Sequence, residues 1–118
     1  MEKTIRVSLN EEDILRILKC DFTNYNYDST NEDARGFLGV KIDYFYRQKD
    51  ETKITEREAK KIIYSYLLEN NIIDKDYKRF SEKLTASHRF SSQDEQGCSY
   101  SIWNCNYSIE KEISLKNI

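Results

Sequence analysis

With 118 residues, 19 Lys+Arg against 21 Asp+Glu and a formal net charge of -2, the chain has room for one domain, residues 1–118. It lacks the strong basic field that binding to a phosphate backbone demands. A hydrophobic share of 38% with 13% aromatics is too core-rich for a disordered segment, and the longest apolar runs fall far below the ~18 residues of a membrane helix. No N-terminal segment has the charged-then-apolar form of a signal peptide, so a cytoplasmic domain with no membrane partner is expected.

Residues 3–9 alternate, with Ile5, Val7 and Leu9 on one face and Thr4, Arg6 and Ser8 on the other, the period of a strand. Asn10 followed by Glu11, Glu12 and Asp13 is a helix start, with a capping side chain and acids at the positive helix end. Ile14, Ile17 and Leu18 carry that helix from Asn10 to Lys19. Residues 21–36 are rich in Asn, Asp, Ser and Thr, which favour turns, and read as the longest loop. Residues 37–48 read as a strand with Leu38, Val40, Ile42, Tyr44 and Tyr46 on one face, and Lys41, Asp43, Phe45 and Arg47 on the other. Residues 49–53 read as a charged turn.

Thr55–Glu58 fits a capping box, and Ala59, Ile62, Ile63, Tyr66 and Leu67 form an apolar stripe, so a helix is predicted over Glu56–Glu69. Asn70 and Asn71 are placed to end it. Residues 72–90 are ambiguous, and a turn-rich or short helical start is expected before a strand over Glu82–Phe90. Residues 91–97 read as a hairpin loop. From 98 to 115, Trp103, Cys105, Tyr107, Ile109, Ile113 and Leu115 share a face interrupted only by Lys111, the clean alternation of an antiparallel strand. The expected fold is therefore α+β, with two or three helices on one face of an antiparallel sheet of about four strands. One internal similarity stands out. Leu9–Asp13 and Ile54–Glu58 align as apolar, cap, acid, any residue, acid, which is either the shared grammar of helix starts or the trace of two half-repeats.

No catalytic motif emerges, and the expectation is a protein that is not an enzyme and carries no cofactor. Three glycines, at 36, 39 and 97, cannot write a phosphate-binding glycine loop. Cys20, Cys98 and Cys105 contain no close-spaced ligand pair, and an odd count without a secretion signal points to reduced thiols. No metal site is expected. Cys–His catalysis would have to use His88, the one histidine. Asp43 with Glu51-Thr52-Lys53 has the residue types of a metal-dependent nuclease, but a spacing of eight leaves only a short connection between them.

Protein binding fits best. The predicted loop holds Phe22, Tyr25 and Tyr27, with Asp28 and Asp33, and tyrosine supplies large contact area at low entropy cost. Asp94 and Glu95 in the hairpin loop complete the candidate partner-binding set. The alternative is a nucleic-acid-associated protein using the mildly basic stretch 53–83, with Arg57, Lys60, Lys61, Lys78 and Arg79 as contacts and Tyr rings for stacking. Pro is absent, Gly is scarce, and Ile, Lys, Asn and Tyr are abundant, a composition that points to an AT-rich genome. In size, charge balance and this composition, the chain resembles as a class the small anti-CRISPR-type proteins that phages and mobile elements encode against host defence. That resemblance implies a host effector complex as the protein partner, inhibition by occluding a site on it, and residence in the host cytoplasm.

Overall fold

The computed structural model describes residues 2–32, 38–73, 79–93, 95–97 and 99–114. The elements run β1 (Glu2–Leu9), α1 (Glu11–Leu18), β2 (Phe22–Glu32), β3 (Leu38–Arg47), β4 (Thr52–Ile54), α2 (Glu56–Glu69), β5 (Arg79–Gln93) and β6 (Ser99–Ser114). The α+β class holds. In place of one sheet of about four strands there are two antiparallel three-stranded sheets, in the orders β1-β6-β5 and β2-β3-β4.

Three sequence expectations change. Residues 22–32 of the predicted loop form β2, because β3 supplies ladder partners for Phe22–Asp28 and Glu32, and that pairing overrides the turn preference of Asn and Asp. Thr52 and Lys53 leave the predicted turn and join Ile54 in β4 against Phe45–Arg47. The turn shrinks to residues 48–51, with Glu51 in the left-handed region at φ 55°. Finally, β5 starts at Arg79 and runs through 91–93, leaving 95–97 as turn residues with Gly97 at φ 81°.

The pairing reveals two halves of the same design. Residues 2–47 run strand–helix–strand–strand, and residues 52–114 repeat that order. Each half gives its first strand to the hairpin of the other, β1 to β6 and β4 to β3. The registers correspond row by row: Thr23–Phe45–Ile54 crosses one sheet where Leu84–Tyr107–Leu9 crosses the other. Phe45 and Tyr107, the central residues of these rows, are both 0% exposed. The half-repeat trace at Leu9–Asp13 and Ile54–Glu58 therefore corresponds to a repeat of topology.

Helix ends show the same correspondence. Asn10 and Asp13 form a complete capping box, with Asp13 N–H donating to Asn10 Oδ1 at 2.9 Å. At α2 only the first arm is made, Glu58 N–H donating to Thr55 Oγ1 at 3.3 Å. The last carbonyls of α1, those of Leu18 and Lys19, accept from the Arg47 guanidinium on β3 at 2.6 and 2.9 Å, which satisfies groups a helix end leaves bare. α2 ends as predicted at Asn70, with Asn71 left-handed at φ 56°.

One core joins both halves. Ile14 and Leu18 of α1, Ala59, Ile63 and Leu67 of α2, and Ile42, Phe45, Ile54, Leu84, Cys105, Tyr107 and Ile109 of the sheets are all buried. Ile62, predicted inward, is 39% exposed, because it lies off the arc that faces the sheets. Lys111, which interrupts the apolar alternation of β6, nevertheless stays on the inner face and is 2% exposed. Its stem packs in the core while the ammonium meets the hydroxyl and ring face of Tyr64.

The molecule is elongated, 64 × 40 × 26 Å with a radius of gyration of 17.4 Å, against about 13.5 Å for a compact chain of this length. The hairpins explain the length. β1 covers β6 only over Tyr107–Ser114, and β4 covers β3 only over Phe45–Arg47. The rest of each hairpin is a two-stranded arm among the described residues.

Candidate functional site

The face of the second sheet turned away from the helices is where the chain departs from expectation. A bulge creates it. β2 and β3 slip by one residue between Asn24/Tyr25, with Tyr44 opposite Asn24 and Ile42 opposite Tyr25, so Asp43 is the extra residue on β3. A bulge of this kind exchanges the faces of the strand on either side of it. Before it Ile42 points inward; after it Phe45 does, and Tyr44 and Tyr46 turn out. The predicted shared face of Ile42, Tyr44 and Tyr46 is thus split, and Phe45 moves from the expected outer face into the core.

Outside, the rings gather. Phe22 and Tyr46 are cross-strand partners with centroids 5.2 Å apart and planes tilted by 41°. Tyr44 meets Tyr46 edge-on at 6.3 Å. Lys53 of β4 holds its ammonium 4.8 Å above the Tyr44 ring. Asn24 Nδ2 donates to Asp43 Oδ2 at 3.3 Å along the border of this patch. Phe22 is 45% exposed, an unusual state for a ring that could have been a polar residue at no cost to the core.

The residues singled out from sequence are dispersed. Phe22 belongs to this face. Tyr25 does not lie on a loop: it is a half-buried strand residue on the inner side, its hydroxyl donating to Glu11 Oε1 at 2.7 Å. Burial and that carboxylate raise its pKa well above the ordinary phenol value, so it ties β2 to α1 as a structural contact. Tyr27 and Asp28 are on β2. Asp33, Asp94 and Lys78 lie outside the described residues, and Glu95 is exposed in the β5–β6 turn. Arg79 begins β5, and Arg57, Lys60 and Lys61 lie together on one flank of α2.

The residues weighed for catalysis are scattered too. Asp43 is the bulge residue, Glu51 an exposed turn residue, and Lys53 is occupied with Tyr44. Cys98 lies outside the described residues, and His88 pairs with Trp103 on the β5–β6 arm. Cys105 is buried against Thr23, Oγ1 to Sγ 3.7 Å, and burial pushes its thiol up to about 11. Cys20 is half-buried near Leu18 O at 3.6 Å and is raised by burial as well. Neither thiol has the depressed pKa of a nucleophile.

Tyr44 and Tyr46 were missed as surface residues because their spacing with Ile42 conceals a bulge; the one signal in the sequence is Phe45, a large apolar residue at the wrong parity. The fold and this face together define an α+β scaffold that carries an aromatic surface on one sheet. The chain matches no protein-family model, no curated protein and no solved structure. Among the described residues no helix is long and apolar enough to cross a membrane.

Proposed function

We propose that the chain is a non-enzymatic binding protein that engages another protein through Phe22, Tyr44, Tyr46 and Lys53. The observation that carries this reading is the difference between two equivalent surfaces. The positions corresponding to Phe22, Tyr44, Tyr46 and Lys53 on the first sheet are Lys83, Asn106, Ser108 and Ser8, an ordinary solvated face. Folding therefore does not require the rings. Aromatic side chains are enriched in the cores of protein interfaces, and tyrosine among their hot spots. The class resemblance to anti-CRISPR-type proteins of phages and mobile elements implies a host effector complex as the partner and occlusion as the mode.

Rings on an open sheet face also stack on unpaired bases, which makes single-stranded nucleic acid the second reading. The net charge of -2 and Asp43 at the border of the rings weigh against it. The deciding experiment captures partners from a bacterial host lysate with the wild-type chain, with Tyr44→Ala/Tyr46→Ala and with Lys83→Ala/Asn106→Ala. The expected result is a specific protein retained by the wild type and the second variant and lost by the first. Retention by both variants would remove the aromatic face from the proposal. Tight, salt-sensitive mobility shifts with generic RNA or DNA would favour the second reading.

A further inference from the structure

A second feature, on α2, is independent of the aromatic face. Arg57, Lys60, Lys61 and Tyr64 recur at the i, i+3, i+4, i+7 spacing of one helical stripe. They line a groove of about 310 Å³ whose far side is Glu82 of β5. Its walls are fixed from behind. The buried Lys111 ammonium donates to Tyr64 Oη and lies 4.3 Å from that ring centroid. The Tyr107 hydroxyl donates to Glu82 Oε2 at 2.6 Å. Among the described lining residues, three cations and one carboxylate, the latter already engaged by a phenol, surround the opening, and the Lys111 ammonium is buried behind Tyr64. Lys60 is partly shared with Glu56 at 3.9 Å, while Arg57 and Lys61 make no ion pair with a described residue. Between the charged tips the lining is largely carbon, from the Tyr64 ring and the lysine and arginine stems.

A carbon-lined groove with a positive rim concentrates anions, and its volume is at the lower end of small-molecule sites, roughly 300–1,000 Å³. We propose that it binds a phosphorylated small molecule of mononucleotide size. Arg57, Lys60 and Lys61 hold the phosphate, Tyr64 packs against the planar part, and Glu82 accepts from a hydroxyl or amino group. A nucleic-acid strand fits less well, because Glu56 and Glu58 interrupt the basic track along the helix and Glu82 closes it on the far side.

The test is a titration of the full, isotope-labelled chain with AMP, followed by amide shifts, with adenosine and inorganic phosphate as separate arms. Saturable shifts at residues 57–64 and 82 are expected with AMP, weaker ones with phosphate alone, and the weakest with adenosine. Arg57→Ala/Lys61→Ala, both exposed positions whose fold is checked by circular dichroism, should weaken AMP binding about tenfold or more, as loss of charge-assisted contacts predicts. Tyr44→Ala/Tyr46→Ala should leave it unchanged, so this inference and the aromatic-face reading can fail separately. Absence of saturable shifts at millimolar AMP, equal binding of adenosine, or tight binding of an oligonucleotide without any of AMP would each overturn the proposal.

Discussion

On the first sheet, the row Lys83–Ser108–Ser8 faces water; on the second, the matching row is Phe22–Tyr46–Lys53. Directly behind these rows the sheets agree again, with Tyr107 and Phe45 both at 0% exposure. The two halves therefore share the constraints of packing and differ where packing imposes none. That separation lets one half serve as an internal control for the other. A ring at an outward position of the second sheet cannot be explained by the needs of the fold, because the first sheet meets those needs with serine, asparagine and lysine.

The comparison can be broken first in the core. Phe45→Ala and Tyr107→Ala should each cost about 3–5 kcal/mol in urea denaturation, with Tyr107→Ala the larger because it also leaves Glu82 without its phenol partner. A negligible cost at either position would end the equivalence of the halves. The surface comes next. Tyr44→Ala should weaken partner capture by about 30-fold, the scale of an interface anchor, while Asn106→Ala at the matching position should leave it unaltered, read by the concentration needed for half-maximal capture.

A smaller effect, read by pH, involves groups of both sheets. Cys105 has a folded pKa of about 11 against an ordinary 9.0, so the fold favours the neutral thiol. Its contribution is fully present below pH 9 and is lost as pH rises from 9 through about 11. The melting temperature should fall across that window, and Cys105→Ala should flatten part of the fall, the remainder belonging to Tyr25 and Tyr107, which are raised in the same sense. The smallest contrast is at the caps. Asn10→Ala, which removes the 2.9 Å side-chain arm of the capping box and leaves the backbone N–H of residue 10 donating to Asp13, should cost about 1 kcal/mol, and Thr55→Ala, which removes a longer 3.3 Å arm, about 0.5 kcal/mol, measured by thermal or urea unfolding.

Much of this fold was legible because local and global preferences agree. α2 announced itself through Thr55 and the Ala59, Ile63, Leu67 stripe, and β6 through an alternation that persists past a buried lysine. β2 was not legible, since Asn24, Asn26 and Asp28 prefer turns and the force that straightens them is the β3 ladder, which no local window contains. The exchange of first strands was invisible for the same reason: Leu9 and Ile54 carry no mark of the hairpin they join. The aromatic face was half legible. Phe22 stands out for its ring, whereas the alternation puts Tyr44 and Tyr46 on the face of Ile42, because one extra residue, Asp43, reverses the parity of everything after it.

The crossing of first strands also orders events during synthesis. Residues 22–69, which hold β2, β3, β4 and α2, are continuous in the chain and can assemble on the ribosome as soon as they emerge. β1 precedes them, yet it must wait until β6 is nearly finished before it has a ladder partner, a closure that joins residues 2–9 to residues 107–114. Such long-range closures are slow, so β1 carries an unpaired strand edge until β6 is made, and that edge is the segment a chaperone would have most reason to shield.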